Sequence, residues 1–442
     1  MKHTDFIVTI DLGTSSMVGM VGQCNAQGAL TVIAYDTEVS TTCIRRGCVY
    51  NVEETANKIK KLVRKLENKL SGATIAKLYI GVGGQSIKTI DYGVSRVLGL
   101  DGVVTDDVIK SLYDECCSYH PDMLDVLAAV SPVYFLDDKQ EMIPIGVPCN
   151  KIEVKYKLVV GRPTLKRNIV KSIEDRAKIK IAEVVVSPLA LAQAVLTEDE
   201  RDLGCAMLGF GAGVTTLTVF KNGLLKDLTV IPFGSNLITR DITSLHIVES
   251  EAERIKKKEG SAIFDLTSDQ TVQVNSAEGS KMREIKSAEL NNIIEARVHE
   301  ILDNIYSRLD QLGLNRLLGA GIIITGGGAL LKDLPDVIKK RFNMPVRFAT
   351  ARKSVLETED NITTSCEYAT AIGLLLYGKN NCATVEAKPI ITHKESTQII
   401  EEPQHKEDKK SIQSRTRKEG TGNSFKKMID GLSLKLFADD TE

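Results

Sequence analysis

Three glycine-rich turns, each directly after a short apolar run, constrain the fold of this chain more than any other feature. An apolar run followed by such a turn predicts a buried strand that ends in a loop, and the turns lie at 11–16, 209–215 and 326–328. Glycine and small hydroxyl residues let backbone N–H groups converge on an anion without interference from Cβ atoms, and a helix N-terminus adds partial positive charge. The first two turns are about two hundred residues apart and the third is predicted to open a helix. Together they indicate one phosphate chain held from opposite sides.

Asp11 stands at the end of the first predicted strand. A bare carboxylate repels phosphate, so Asp11 is expected to face a bound metal ion. The mononucleotide motif G-x-x-x-x-G-K-[ST] is absent, and Val214 stands where a dinucleotide fingerprint needs its third glycine. Each turn taken singly is also compatible with a simple tight turn. The three in this order favour a nucleotide clamp that is duplicated along the chain.

Composition limits the classes of protein to which the chain can belong. The 442 residues, 43% of them apolar, are enough for two or more well-buried domains. The nine cysteines include no C-x-x-C pair and the six histidines never fall at metal-ligand spacing, so disulfide and zinc frameworks are disfavoured and reduced cytosol is favoured. A formal net charge of −1 predicts no general affinity for nucleic acid. The sequence shows no signal segment and no apolar run long enough to span a bilayer, so any membrane contact is expected to be peripheral.

Strand and helix signals follow a repeated plan along the chain. A meander of strands at the N-terminus leads into an amphipathic helix predicted over 52–70. A small α+β module is predicted to be inserted next, between parts of the first domain and up to about residue 160. After an acidic loop at 197–201 a second meander begins at Cys205, and mostly helical segments follow over 238–302. The repeat of meander and helix indicates internal duplication.

The C-terminal region changes character twice. The folded part is predicted to end near Gly378, and the polar residues 380–423 are predicted to be an unstructured tether. Apolar residues then recur at helical spacing after Ser424, with lysines beside them. The residues expected to touch lipid are Phe425, Lys426, Lys427, Met428, Ile429, Leu432, Lys435 and Leu436. This pattern predicts an amphipathic helix that binds reversibly to an anionic membrane surface, and docking on the chain's own body or on a partner groove is the alternative.

Several stretches carry a family likeness. They are 7–16, 154–173, 196–204, 231–236, 250–256, 322–331 and 367–373. In order and content they resemble the actin, Hsp70 and sugar-kinase superfamily, and in finer detail the FtsA family of bacterial cell division proteins, over about residues 5–378. The resemblance implies an α/β, actin-like ATPase fold with two duplicated domains around a nucleotide cleft and an inserted α+β subdomain. The closing helix resembles that family's membrane-targeting sequence.

The resemblance also implies where the subdomains lie in the chain and what they do. The first actin-like subdomain would comprise 1–80 and 161–202, the inserted one 81–160, the second actin-like one 203–238 and 303–379, the helical one 239–302, the linker 380–423 and the membrane helix 424–442. The helical subdomain would bind the C-terminal peptide of FtsZ. The protein would form filaments with itself, bind other division proteins and act on the cytoplasmic side of the cell membrane at the division septum.

Carried over onto this sequence, the resemblance implies a site for ATP and Mg²⁺. The residues implied in nucleotide binding are Asp11, Gly13, Thr14, Ser15, Ser16, Gly211, Gly213, Thr215, Glu253, Lys256, Gly326, Gly327 and Gly328. Asp11 would also hold Mg²⁺ through water, and Gln193 is a candidate catalytic residue that positions water. For Glu253 and Lys256 a solvated helix face is the alternative interpretation. Because Gly209 stands where the superfamily's second turn opens with Asp, we expect ATP binding with weak or absent hydrolysis.

Two other functions share this fold. A small-molecule kinase needs a catalytic carboxylate, which the second turn lacks at Gly209. A membrane adaptor of the pilus-assembly type would share the clamp and the inserted module. The terminal helix and the stretch 197–201 favour cell division over the pilus-assembly alternative.

Overall fold

Two large mixed β-sheets and the helices packed on them organise the chain. The structure, a computed structural model, describes residues 5–25, 29–267, 270–275, 282–356 and 365–384. The strands in chain order are β1 (Ile7–Leu12), β2 (Ser16–Cys24), β3 (Leu30–Val39), β4 (Ile44–Arg45), β5 (Cys48–Val49), β6 (Lys77–Val82), β7 (Lys88–Val97), β8 (Asp125–Leu136), β9 (Lys139–Glu141), β10 (Lys151–Gly161), β11 (Lys180–Val186), β12 (Cys205–Phe210), β13 (Thr215–Lys221), β14 (Leu224–Ile231), β15 (Thr271–Asn275), β16 (Met282–Lys286), β17 (Gly321–Thr325) and β18 (Val346–Phe348). The helices are α1 (Val52–Lys69), α2 (Asp106–Cys117), α3 (Thr164–Val170, continued by π-helical turns over Lys171–Ala177), α4 (Ser187–Val195), α5 (Glu198–Leu203), α6 (Ser235–Ile242), α7 (Glu249–Lys258), α8 (Ser287–Gln311), α9 (Leu334–Phe342) and α10 (Ala369–Tyr377).

The first sheet is built around β1 and has the order β11-β6-β1-β2-β3. Strand β1 runs antiparallel to β2 and parallel to β6. Helix α1, predicted from its apolar periodicity, begins after Asn51, whose side chain accepts a hydrogen bond from the N–H of Glu54. Its buried face includes Leu62, which packs so closely on β2 that a Cβ at Gly19 would lie only 2.9 Å from it. The predicted meander and helix are therefore present, and they bury a common core.

The second sheet repeats this arrangement and extends it, with the order β18-β17-β12-β13-β14-β7-β10-β8-β9. Strand β12 runs antiparallel to β13 and parallel to β17, as β1 does to β2 and β6. This repeat confirms the predicted duplication. The carboxyl ends of β1, β12 and β17 each lead into one of the three glycine-rich turns. Because β12 is the counterpart of β1, the duplication places the first and second turns at equivalent positions.

The inserted α+β module consists of β7 to β10 with α2. Strand β7 pairs antiparallel with β10 on one side and meets β14 on the other, where Thr229 is in register with Lys88. The N–H of Val230 on β14 also donates to the carbonyl of Ile87, at 3.1 Å. In sequence the module lies between β6 and β11 of the first sheet, yet its strands continue the second sheet. It thereby covers what would be an exposed sheet edge.

Three local predictions differ from the structure. The stretch 197–201, predicted as an acidic loop, starts helix α5, because Thr197 and Glu200 form a reciprocal capping box. The region 238–302, predicted as mostly helical, also holds the hairpin β15–β16, and α8 runs without a break past residue 302 to Gln311. The turn at 326–328 opens a single 3-10 turn, and α9 begins further along the chain.

The packed chain extends beyond the predicted end at Gly378. The N–H of Cys382 donates to the carbonyl of Phe6 at 2.7 Å, and the N–H of Thr384 donates to that of Thr74 at 2.9 Å. The structure does not describe residues from 385 onward. The rest of the predicted linker, up to 423, and the predicted helix at 424–442 therefore lie outside the described residues. Within the described ranges, no helix is both long enough and apolar enough to cross a membrane.

Candidate functional site

A cavity of about 460 Å³ lies where the three glycine-rich turns meet. Its lining includes 11–16 at the connection from β1 to β2, 209–214 at the connection from β12 to β13, and 326–328 after β17. The first residues of α4 and α6 and one side of α7 complete the wall. Turns that are far apart in the sequence therefore face one common space.

Asp11 lies on the wall of this cavity, near the end of β1. The hydroxyl of Ser187, the first residue of α4, donates a hydrogen bond to its Oδ1 at 3.2 Å. Burial raises the pKa of the Asp11 carboxyl to about 6, although the Ser187 bond and a backbone bond at Leu12 pull the pKa the other way. A cation placed beside Asp11 would favour its ionised form.

The first and second turns touch each other. Thr14 of the first turn lies so close to Gly213 of the second that a Cβ at Gly213 would be 2.5 Å from the Thr14 hydroxyl. Helix α6 starts against the same turn, since the N–H of Ser235 donates to the carbonyl of Gly211 at 3.0 Å. The close approach requires a residue without a side chain at position 213.

The third turn packs on the second. Gly326 has φ +91°, and a Cβ there would lie 2.5 Å from the carbonyl oxygen of Phe210. Any other residue would therefore be both strained and too close to that oxygen. At Gly327, by contrast, a Cβ would find the Glu367 carboxylate as its nearest neighbour, at 3.8 Å, so this glycine leaves open space on the cavity side.

Glu253 and Lys256 occupy the α7 side of the cavity and bond to each other at 2.6 Å. The Thr239 hydroxyl on α6 donates to the same Glu253 oxygen at 2.6 Å and accepts from Lys256 Nζ at 2.8 Å. Burial alone would raise the pKa of Glu253, but the bonds from Lys256 and Thr239 outweigh burial and lower it. Lys256 is buried, so a freely solvated helix face does not describe it. The cluster holds an ionised carboxylate beside the cavity.

Two predicted site residues do not reach the cavity. Thr215 is fully buried, and its hydroxyl donates to the carbonyl of Phe233 at 2.7 Å. Its neighbour Thr216 lines the cavity instead, because successive residues of β13 point to opposite faces. Gln193 lies on the exposed side of α4, where its side-chain oxygen accepts a bond from Arg201 at 3.0 Å. From there it cannot position water in the cavity, so its candidate catalytic role is not supported.

Several lining residues were not predicted. Ser187 bonds to Asp11 from 176 positions away, a distance over which local patterns carry no information. Gly83 and Gly84 follow β6, in the same way that the predicted turns follow their strands, and that rule could have found them. Gly47, in the short hairpin β4–β5, reaches the cavity and donates its N–H to the Thr14 hydroxyl at 3.0 Å.

Gly209 and Thr216 face each other across β12 and β13. A Cβ at position 209 would lie 2.5 Å from the Thr216 hydroxyl. That hydroxyl is buried and has no hydrogen-bond partner among the described residues, although Thr216 lines the cavity. A buried unpartnered hydroxyl is costly on its own and is satisfied when a bound polar group or water supplies the bond.

The residues present fit a nucleotide with its metal ion. The turns offer backbone N–H groups without Cβ atoms in the way, as phosphate requires. Within the described ranges no group of three or more His, Cys, Asp and Glu side chains could hold a metal by itself. Mg²⁺ usually takes one or two carboxylates and completes its shell with water and substrate phosphates. Asp11 by itself meets that requirement.

This architecture is the actin-like ATPase fold. Two solved structures share it at low sequence identity. The PilM–PilN type IV pilus biogenesis complex superposes with a TM-score of 0.58 at 14% identity, over 84% of this chain and 98% of that one. MreB5 of Spiroplasma citri, solved bound to ADP, superposes with a TM-score of 0.50 at 14% identity, over 85% and 96% of the two chains.

Sequence relatives define the family more narrowly. A family profile described as "Cell division protein FtsA" matches residues 206–373. The cell division protein FtsA of Porphyromonas gingivalis is 32% identical over 98% of this chain and 97% of its own length. That of Neisseria meningitidis serogroup B is 30% identical over 84% of this chain and 89% of its own. The chain belongs to the FtsA family of cell division proteins.

Proposed function

We propose that the chain binds ATP with Mg²⁺ in the cavity between the three glycine-rich turns. One observation carries this proposal: the turns converge on a single space beside Asp11, with Gly213 and Gly326 at contacts that exclude a side chain. The N–H groups of the turns would bind the phosphates. Asp11 would hold the metal ion through water, and Glu253 and Lys256 would contact the adenosine side.

Titration calorimetry with MgATP tests the proposal, with Gly213→Val as the matched variant. Valine at 213 places its Cβ 2.5 Å from the Thr14 hydroxyl, so we expect binding to be lost or weakened at least tenfold. Thermal unfolding of the variant checks that it still folds. Absence of any binding heat with the wild-type chain would refute the proposal.

We expect hydrolysis to be weak or absent. Gly209 supplies no carboxylate, and the Thr216 hydroxyl that lies beside it can hydrogen bond but cannot act as a base near neutral pH. ATP would then stabilise one state of the protein for long periods. Sustained turnover by purified protein, at the rates of typical enzymes, would contradict this expectation.

We further propose that the nucleotide-bound protein is a filament-forming adaptor at the cytoplasmic side of the cell membrane, which links the FtsZ ring to lipid and recruits other division proteins. Membership of the FtsA family supports a role in cell division. The helical part around α6 to α8 would receive the FtsZ C-terminal peptide. The apolar pattern after Ser424 supports the lipid contact from the sequence.

Two binding experiments test the adaptor role. Flotation with anionic vesicles should carry the full chain upward but leave behind a chain that ends after Thr384, and equal flotation of both would remove the membrane role. Pulldown with the FtsZ C-terminal peptide should retain the protein. Failure to retain it would favour an adaptor of another assembly.

A further inference from the structure

The hairpin β4–β5 lies against the cavity and carries an arginine at its turn. Arg46 and Gly47 form this two-residue turn with φ +49° and +72°. Both residues of such a turn need positive φ, which glycine and asparagine adopt easily and arginine does not. A strained residue that persists at a cavity is a reason to look for a function there.

The turn is wedged among three of the loops that line the cavity. Gly47 donates its N–H to the Thr14 hydroxyl of the first turn, at 3.0 Å. A Cβ at Gly213 of the second turn would lie 3.0 Å from the Cα of Arg46. A Cβ at Gly47 would lie 2.9 Å from the backbone nitrogen of Gly84. The backbone of Arg46 is therefore fixed where the first and second turns meet.

No carboxylate of the described residues neutralises the charge of Arg46. Its guanidinium is exposed and donates one hydrogen bond, to the neutral side chain of Gln85 at 3.2 Å. Throughout the described part of the chain, Arg46 forms no ion pair with a carboxylate. The next residue back, Arg45, is also exposed, but its guanidinium stacks over the Tyr50 ring, 3.7 Å from the ring centroid. Of the two neighbours, Arg46 is the one left available to an anion.

The rest of the cavity does not supply that charge. Lys256 and Lys257 are the lysines on its described wall, and both pair with Glu253, at 2.6 and 3.2 Å. Asp11 at the turn end is itself anionic when a metal ion is bound. A triphosphate placed there would find backbone N–H groups but, among the described lining side chains, no unpaired cation.

We propose that Arg46 binds the terminal phosphate of a nucleoside triphosphate in this cavity and makes the site prefer ATP over ADP. This rests on the proposed nucleotide-binding function. The guanidinium would leave Gln85 and form a charge-assisted hydrogen bond to the phosphate, which is stronger than its bond to a neutral amide. ADP lacks that phosphate, so its affinity would not depend on Arg46.

The test compares the affinities of the full-length chain for ADP and for the non-hydrolysable ATP analogue AMPPNP, each with Mg²⁺. Arg46→Gln should weaken AMPPNP binding about tenfold, the loss expected for one charge-assisted bond, and change ADP binding less than twofold. Arg45→Gln removes the same charge one residue away and should leave both affinities near wild type. Equal losses for both nucleotides, or equal effects of the two variants, would overturn the proposal.

Arg46→Asn separates binding from folding. Asparagine adopts a positive φ easily, so the melting temperature of the Arg46→Asn variant should equal or exceed that of the wild type. The preference of this variant for AMPPNP should fall as in Arg46→Gln. An Arg46→Asn variant that keeps the wild-type preference would overturn the proposal. If the wild-type chain binds neither nucleotide, both this inference and the proposed function fail. If it binds both but Arg46→Gln changes nothing, this inference alone fails.

Discussion

Gly209 has no side chain, and the Thr216 hydroxyl occupies the space where one would begin. A Cβ at 209 would meet the Thr216 hydroxyl at 2.5 Å and Leu191 at 3.2 Å. Restoring a carboxylate with Gly209→Asp should therefore destabilise the protein by about 1 to 3 kcal/mol through overpacking. Gly209→Asp combined with Thr216→Ala should recover most of that loss. Urea denaturation of the wild type and these two variants measures this, and a stable Gly209→Asp single variant would show that the contact yields easily.

Asp11 gives the nucleotide-free protein a pH dependence with a definite sign. Its folded pKa of about 6 lies above the ordinary value of 3.8, so the folded state holds the extra proton between these values. Stability from this residue is then highest below about pH 4, falls as the pH rises to about 6, and is lost above that. Asp11→Asn should be more stable than wild type by about 2 kcal/mol at pH 7, with the difference shrinking toward pH 4.

Denaturation of nucleotide-free protein across pH 4 to 7.5 checks this expectation. Ser187→Ala serves as the control, because it removes the hydrogen bond to Asp11 but keeps the carboxyl group. A stability difference between wild type and Asp11→Asn that does not vary with pH would contradict the raised pKa.

Sequence patterns located the turns but could not orient every side chain in them. Gly213 and Gly326 were predicted as site residues from their glycine-rich turns, and glycine stands there because only glycine tolerates their contacts. Thr215 and Thr216 are both threonines, and the choice between them depends on which face of β13 meets the cavity. Arg46 was not recognised, since its backbone lies against turns that are distant from it in the sequence.

At the element scale, a buried carboxylate joins three elements from different parts of the chain. Asp227 on β14 is 2% exposed and accepts bonds from Arg308 on α8, at 2.6 and 3.0 Å, and from Thr89 on β7, at 2.9 Å. Through Thr89 the inserted module therefore hydrogen bonds to the buried Asp227–Arg308 ion pair of the second repeat. It lies beside the short pairing of β7 with β14.

Arg308→Met should destabilise the protein by about 2 to 4 kcal/mol, because it leaves the Asp227 carboxylate buried without its cation. Asp227→Asn combined with Arg308→Met should cost less than Arg308→Met alone. The matched control is Arg341→Met, which removes an arginine from an exposed pair with Asp303 and should cost less than about 1 kcal/mol. Guanidinium denaturation measures all three variants, and equal losses for Arg308→Met and Arg341→Met would refute the buried pair's importance.

Long periodic elements were the easiest to predict, and short ones with few signals the hardest. Helix α1 has a continuous buried stripe along its length, so its pattern was sufficient. Helix α5 has only six residues and buries none of them, and its acidic composition suggested a loop. Its signal was the Thr197-x-x-Glu200 capping box, which local sequence does carry. The hairpin β15–β16 lies among helices and is too short for its alternation to stand out.

For the whole molecule, the segment after Gly378 belongs to the folded body. The Tyr79 hydroxyl is buried and accepts bonds from the N–H groups of Lys379 and Asn380, each at 3.0 Å. A chain that ends after Gly378 should lose these bonds and those of Cys382, and be less stable by about 2 to 4 kcal/mol. A chain that ends after Thr384 should unfold at the wild-type temperature. Identical melting curves for the two truncated chains would show that the segment adds nothing.

The same segment is where a mechanical pull on the C-terminal region would first act on the folded body. The backbone of Cys382 is fastened to Phe6, immediately before β1, whereas Asp11 lies near the opposite end of that strand. At about 3.3 Å per residue, the two points are roughly 17 Å apart. A pull on the C-terminal segment would therefore load the hydrogen bond between Cys382 and Phe6, and through Phe6 it would act on the strand that has Asp11 near its far end.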